Sequence, residues 1–541
     1  MARTIVVLSG EVAAGKSTLA HGLQQGYGAA VVGTRGLLQN RYRTLNPSNG
    51  LNERRALQEF GEHLDDDDGG RWLADDVAQH LKRVDVSLVV IDAVRVLGQI
   101  EALRDLFGRR VWHVHLTSSD LEELADRYEQ RRQAGALKEL DSYAAVKENR
   151  TEAQVPDLAK YADLVLDTHR NTHADVLVRC AARLGLLADL GTPLVDVLVG
   201  GEYGSEGKGN LAFYLAPEYE VLMRVGGPNA GHKVPTTEPT THRSIPSGAL
   251  ANTGAQLLIG PGAVINPRVL LDELNGANIS HDRVTVDPQA MVITDADREA
   301  EKALKAAIGS TGQGVGQAAA RRILGRDGDR SILAEGCEPL KPFLGSARQL
   351  LADTFAAGQR VLLEGTQGTG LSLFHGQYPH VTSRDTTAAG VLSEAGISPR
   401  RVRRTIVTFR TYPIRVGGPS GPMGGKELTW DEIAERSGLD PTGIDERGSV
   451  SGNKRRVAEF DWTLLRFAAE INGATDIAIT FVDYLDARNQ DAYRFDQLTD
   501  ETIRILEEIE RVAGAPVSLI STEFSRRAII DRRDWRGHVL T

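Results

Sequence analysis

The sequence predicts an α/β protein, with two P-loop-type parallel-sheet domains in tandem, the second larger and carrying inserted helical and loop subdomains. Three observations lead there. Short apolar runs of strand length alternate with segments of helical spacing, the pattern of strands joined by crossover helices. Two of these runs end in glycine-rich loops, Gly10–Ser17 and Gly200–Gly209. The chain has 541 residues, room for three or four units of ordinary size.

The elements follow in order. Residues 4–9 are a short apolar strand, Gly10–Ser17 a loop, and helical spacing begins at Thr18. Further strands are expected at 88–91, 111–116 and 164–166, with a helix over 121–132. The acidic run Asp65–Asp68, followed by two glycines, reads as a solvated loop. Residues 173–193 hold one helical segment and Gly191-Thr192-Pro193, and are read as a linker between domains 1–172 and 194–541. A strand at 195–199 opens the second domain.

Composition excludes several classes. There are 63 Lys+Arg against 73 Asp+Glu, a formal charge of -10, which argues against a nucleic-acid binder. Hydrophobic residues at 41% and charged residues at 25% are those of a globular chain. No apolar run is long enough to span a membrane, and the N-terminus shows no signal-peptide pattern. Cys180 and Cys337 cannot build a disulfide framework or a four-cysteine zinc site, so a cytoplasmic location is expected.

Gly10-Glu11-Val12-Ala13-Ala14-Gly15-Lys16-Ser17 matches G-x-x-x-x-G-K-[ST] in full. Gly10 and Gly15 let backbone N–H groups turn inward around phosphate oxygens. Lys16 adds a charge at the β/γ-phosphates, the Ser17 hydroxyl is a Mg²⁺ ligand, and Thr18 opens the helix whose positive end faces the anion. Asp92 and Arg95 follow the strand at 88–91, and Arg127, Arg131 and Arg132 share one helical segment. Residues 3–170 thereby resemble small nucleoside-monophosphate kinases, which implies that Asp92 and Arg95 serve the acceptor and that Arg127 and Arg131 act as lid arginines. The alternative for the arginines is a solvated helix face paired with Glu122, Glu123 and Glu129.

The second loop, Gly200-Gly201-Glu202-Tyr203-Gly204-Ser205-Glu206-Gly207-Lys208-Gly209, is one residue longer than a Walker A and ends in glycine. It is followed by Gly226-Gly227-Pro228-Asn229-Ala230-Gly231-His232, Ile245-Pro246-Ser247-Gly248, Gly309-Ser310-Thr311-Gly312, Glu364-Gly365-Thr366-Gln367-Gly368-Thr369, Tyr378–Ser383 and Arg410–Gly418. In this order the segments resemble the adenylosuccinate synthetase family over residues 195–535. The resemblance implies a ligase. A triphosphate phosphorylates O6 of a 6-oxopurine nucleotide, and the amino group of L-aspartate displaces that phosphate. It further implies GTP or ATP as co-substrate, Mg²⁺, and a homodimer. Glu206, Gly207, Lys208 and Gly209 would hold the triphosphate, with Asp483 reading its base. His232 would act as acid at O6, an imidazolium being available near neutral pH. Ser205 and Gly231 stand at the metal positions. Asn229, Thr311, Gln367 and Thr382 match purine-nucleotide positions, with Arg321 or Arg322 as the arginine usually lent by a second subunit. Ser449, Ser451 and Arg455 match the aspartate loop.

Four departures bear on substrate. The family has Asp where this chain has Ser205; serine is too weak an acid to replace a carboxylate base but leaves room for a 2-amino group, as in phage-type relatives acting on deoxyguanylate. Phe481 replaces a lysine before Asp483, Glu523 replaces a glycine near the base, and Asn453 replaces an arginine near the ribose. The acceptor is therefore IMP, the family's ordinary substrate, or GMP/dGMP. A reading of another class, a silent nucleotide-binding regulator, is disfavoured by retention of His232, Lys208 and Arg455.

Overall fold

In the computed structural model the described residues are 4–46, 54–133, 142–187, 190–326, 328–441, 444, 446–448, 452, 454–525 and 527–533. The chain forms two compact units, Met1–Leu187 and Ala188–Thr541, rather than three or four.

The first unit is built on strands β1 (Thr4–Gly10), β2 (Ala30–Gly33), β3 (Leu88–Asp92), β4 (Val111–Thr117) and β5 (Leu164–Asp167), in the order β2-β3-β1-β4-β5. All pairings are parallel. Alternate residues of β1 serve opposite faces, as the two-residue strand period requires. Val6 and Leu8 pack with Leu19, Leu23, Val176 and Cys180. Ile5 and Val7 pack with Trp72, Leu73, Val77 and Ile100. Two expectations are corrected. The acidic run is the end of a helix, Arg54–Asp68, whose Leu57 is buried. Its Asp65 accepts from Trp72 Nε1 (2.7 Å) and Gln99 Nε2 (2.9 Å), so that acid is tied down rather than solvated. Residues 173–183 are also not linker. They form the helix His173–Arg183, capped by Thr172 and Asp175, and belong to this unit's core.

The second unit contains β6 (Val195–Gly200), β7 (Val221–Arg224), β8 (His232–Val234), β9 (Thr240–His242), β10 (Gln256–Ile259), β11 (Val264–Ile265), β12 (Val284–Val286), β13 (Met291–Val292), β14 (Val361–Glu364), β15 (Val402–Arg410), β16 (Ile414–Val416), β17 (Glu427–Leu428), β18 (Arg455–Ala458), β19 (Asp476–Thr480), β20 (Val517–Ser521) and β21 (Ile529–Asp531). Nine make one sheet, ordered β12-β10-β7-β14-β6-β15-β19-β20-β21. Every pairing in it is parallel except β20 with β21. The inserts are the hairpin β8–β9, the pair β11–β13, and the small antiparallel sheet β16-β18-β17, which has its own core around Ile414, Trp430, Ile433 and Val457. The glycine-rich segments follow β6, β7 and β14. They therefore gather at the carboxyl ends of parallel strands, where open α/β sheets bind ligands. Among the described residues, no helix is long and apolar enough to cross a membrane.

Candidate active site

In the first unit the loop after β1 is shaped by left-handed residues, with φ of 137° at Gly10, 67° at Ala13 and 90° at Gly15. A Cβ on Gly10 would fall 2.0 Å from the Leu116 carbonyl oxygen, so strand packing alone demands glycine there. Lys16 Nζ donates to the Gly10 and Glu11 carbonyls (2.6 and 2.7 Å). Burial, and then Arg95, push its ammonium down to about 7, with Arg131 acting the same way. Arg95 is itself paired with Glu152, and a phosphate arriving at the loop would restore the lysine's charge. Ser17 Oγ donates to Asp92 Oδ2 at 2.8 Å, a hydroxyl and carboxylate side by side, which fits a Mg²⁺ ion carried by a triphosphate. Arg127 is committed elsewhere, donating to Thr168 Oγ1 (3.0 Å) and Glu123 (2.6 Å). Arg132 pairs with Glu129 (2.7 Å). For these two the paired-face alternative describes the structure.

In the second unit Gly207, φ 79°, caps the helix Lys208–Leu215. A Cβ on Gly209 would lie 2.6 Å from the Lys233 carbonyl oxygen, which accounts for glycine where a Walker A has Ser or Thr. Glu206 is wholly buried. It accepts from the Glu202 and Gly204 N–H groups (3.2 and 2.8 Å) and pairs with Lys208, whose Nζ also meets the Gln367 carbonyl.

One cleft is lined by Ser205, Asn229, Gly231, His232, Thr311, Gln367, Thr382 and Arg455, bringing together residues from loops up to 250 positions apart in pairing. His232, on β8, turns Nδ1 to Glu364 Oε1 at the end of β14. Ser247 donates to the same carboxylate through its hydroxyl and, at 2.8 Å, through its N–H. Burial alone would raise Glu364; the Arg224 guanidinium at 3.8 Å and the His232 bond overcome it and hold the carboxyl at about 2. Burial, and then Arg224, push His232 down to about 4 against the pull of Glu364. The expected resting imidazolium is therefore corrected. His232 rests neutral and becomes a donor only when bound negative charge raises it.

Asn229 Oδ1 and Gln367 Nε2 are buried without a hydrogen-bond partner, polar atoms aimed at a ligand. Ser205, at φ 62°, is exposed to the cleft, and its hydroxyl accepts from Arg455 Nη2 at 3.3 Å. Asp483 is 6% exposed and its Oδ1 has no partner. Arg322 is not in the cleft of its own chain; it donates to the Pro261 carbonyl (3.1 Å) and to the Gln289 carbonyl. Arg321 is held by Asp297 (2.8 Å). Ser449, Ser451 and Asn453 lie outside the described residues.

The family model for adenylosuccinate synthetase matches residues 197–334 and 331–491. The adenylosuccinate synthetase of Pyrococcus horikoshii is 38% identical over 348 residues, covering 62% of this chain and 98% of that protein. The chain belongs to the adenylosuccinate synthetase family. It is thus a C–N ligase of that type over its second unit. The Methanococcus aeolicus enzyme is 39% identical over 348 residues, covering 62% of this chain and 99% of its own. Two solved structures share the fold. Succinoaminodeoxyadenylate synthetase of cyanophage S-2L, bound to dGMP and to dATP as an energy donor, gives a TM-score of 0.53 at 28% identity, covering 64% of this chain and 98% of that one. Adenylosuccinate synthetase of Plasmodium falciparum gives 0.55 at 19% identity, covering 63% and 100%.

Sequence reasoning passed over part of this ligase's machinery. Glu364, Arg224 and Ser247 build the environment of His232. Two of them sit inside quoted motifs, yet only the fold brings β7, β8 and β14 together. Arg410, 1% exposed, opens a quoted motif but was given no role; it pairs with Glu446 (2.9 Å), donates to the Ser205 carbonyl (3.3 Å), and lies 4.0 Å over the Phe481 ring. One face of Phe481 is therefore taken by an arginine, which limits the expected purine stacking to the other.

Proposed function

We propose that the second unit joins L-aspartate to C6 of a guanine-type monophosphate, GMP or dGMP, cleaving a nucleoside triphosphate and giving a 2-aminoadenylosuccinate nucleotide. The observation that carries this reading is Ser205: the position where the family has a carboxylate holds a short hydroxyl, open to the cleft and bonded to Arg455. A carboxylate there would crowd and repel nothing on IMP but would stand against a 2-amino group. The dGMP bound by the cyanophage relative supports the same acceptor. The 38% identity to archaeal adenylosuccinate synthetases supports IMP as the second reading. In either, Glu364 orients His232, Lys208 and the N–H groups from Glu206 to Gly209 take the triphosphate, Asn229, Thr311, Gln367 and Thr382 hold the acceptor, and Arg455 forks the aspartate carboxylate together with Ser449 and Ser451. Ser205 and Gly231 offer only neutral oxygens and Arg455 stands on the serine, so a Mg²⁺ ion here would be held chiefly by the oxygens of the triphosphate and would supply charge neutralisation there. A homodimer in which Arg322 completes the partner's phosphate site would require that arginine to leave Gln289 and Pro261.

The test is aspartate-dependent phosphate release with IMP, GMP and dGMP. The guanine nucleotides are expected to outperform IMP, and Ser205→Asp to reverse the order. A wild type that uses IMP alone would overturn the assignment.

The first unit is proposed as a nucleotide kinase, with triphosphate and Mg²⁺ on Lys16, Ser17 and Asp92, and the acceptor phosphate toward Arg95 and Arg131.

A further inference from the structure

A row of buried polar side chains runs up to one wall of the acceptor cleft. It starts at Arg384, which is 8% exposed. The Arg384 Nε and Nη2 fork onto the two oxygens of Glu394, on the helix Ala388–Ala395, with the Nε bond at 2.7 Å. Its Nη1 donates to Thr366 Oγ1. Thr366 Oγ1 in turn donates to Gln367 Oε1 at 2.8 Å. The row ends at Gln367 Nε2, a buried atom without a partner on a residue that lines the cleft.

The direction of these bonds is set by chemistry. A guanidinium only donates, so Thr366 receives a hydrogen from Arg384 and must send its own elsewhere. The Gln367 amide beside it takes that hydrogen, and takes it through oxygen. With the amide turned over, its NH₂ would face a hydroxyl whose hydrogen had no place to go. Arg384 thereby leaves Gln367 with N–H donors toward the cleft and no acceptor. The backbone supports the arrangement at two points. Gln367 has φ 58°, a left-handed conformation uncommon for a residue with a side chain, and its carbonyl accepts from Lys208 Nζ. A Cβ on Gly226 would fall 2.1 Å from Thr366 Oγ1 and 2.2 Å from Arg384 Nη1, so glycine at that place leaves room for the row.

We propose that Arg384 is a positioning residue of the ligase: acting through Thr366, it locks the Gln367 amide so that only N–H donors meet the purine. This deepens the acceptor reading and rests on it. A 6-oxopurine brings an oxygen beside His232, and the locked amide can donate to it. A 6-aminopurine brings an N–H to the same place, and the amide cannot answer by turning over. Ligation itself replaces that oxygen by N–H, so the lock that holds the acceptor also favours release of the product.

The experiment is calorimetric binding of nucleoside monophosphates to the full-length protein in two pairs, IMP with AMP and GMP with 2-aminoadenosine monophosphate. The members of a pair differ at C6 and the adjoining N1. In the tighter-binding pair the 6-oxo member should be preferred. Thr366→Val keeps the shape and frees the amide, and should cost about tenfold or more of that preference, the worth of an unpaired buried donor. Thr366→Ser restores the hydroxyl and should restore the preference. The double variant Arg384→Gln with Glu394→Gln removes both buried charges together, and its new amide at 384 can itself accept from Thr366; it should behave as Thr366→Val does. Binding by the first unit is common to all these proteins and cancels in the comparison. No preference in the wild type, an unchanged preference in Thr366→Val, or no rescue by Thr366→Ser would overturn the proposal. Equal weakening of both members of the pair would overturn it too, since the amide would then meet an atom common to both, such as N7. Absence of aspartate-dependent phosphate release with every acceptor would sink the ligase reading instead, and the binding ratio would still decide for Arg384.

Discussion

Replacing Glu364 with Gln tests how the ligase keeps its histidine ready. The carboxylate accepts from His232, from the Ser247 hydroxyl and, at 2.8 Å, from the Ser247 N–H, with Arg224 3.8 Å away. The amide keeps the shape and the Ser247 contacts but removes the charge. It can also turn its NH₂ toward Nδ1 and invert the tautomer. Help from a positioned acid–base group is worth about 10²–10⁴ in rate, so kcat should fall by that range while KM for the acceptor changes little. Because Glu364 is the group that raises His232, its loss should also move the high-pH limb of the rate profile downward. Stability carries a second signature. Glu364 is held at about 2 in the fold, well below the ordinary glutamate value of about 4.3. Its stabilisation, about 3 kcal/mol, is therefore complete above about pH 4.3 and lost as pH falls through 2. Chemical unfolding of Glu364→Gln should show a weaker acid dependence in that window. The assay is phosphate release with aspartate and the best acceptor. A kcat within about tenfold of wild type would refute the assigned role, since that lies below the range for a positioned acid.

Two further outcomes concern the first unit. Lys16→Ala should end triphosphate hydrolysis or transfer that is independent of aspartate, and leave aspartate-dependent release nearly unchanged, because each unit has its own loop; loss of ligation would mean that the first site feeds the second. His115 is pushed down to about 4 by burial, then by His113 and Lys16, and hydrogen-bonds Ser9 Oγ at 2.8 Å. Its depressed value means that stability is full above the unfolded pKa of about 6.5 and declines as pH falls toward 4, so His115→Gln should flatten that decline in the first unit's unfolding transition, and an unchanged slope would refute the buried-neutral assignment.

Most of what the sequence revealed lay in local patterns whose physics is local. The loops at Gly10–Ser17 and Gly200–Gly209 declare themselves through glycines that the backbone demands, and the strands before them are continuous apolar runs because both faces are covered. What escaped depends on contacts far apart in the chain. Strand β2 is four residues long and only its pairing with β3 makes it a strand. The helix ending in Asp65–Asp68 looked solvated because its partners, Trp72 and Gln99, come from other helices. His232 was legible as a residue but not as a neutral one, since Arg224 and Glu364 reach it from different strands. Arg322 matched by position, and the fold instead turned it to Gln289.

The two phosphate loops share a lysine and solve its burial differently. Lys16 rests on backbone carbonyls, and burial with Arg95 holds its ammonium at about 7, so a phosphate must both bind and recharge it. Lys208 is already matched by Glu206, which is itself wholly buried and bonded to two N–H groups of the loop. That loop carries little net side-chain charge of its own. Attraction for a triphosphate must then come from the N–H groups at the helix start and from the metal that accompanies the phosphates. Affinity at the first loop should therefore fall as pH rises through 7. The contrast follows from one residue: position 206 is an acid beside the ligase lysine, whereas the corresponding place before Gly15 is Ala14.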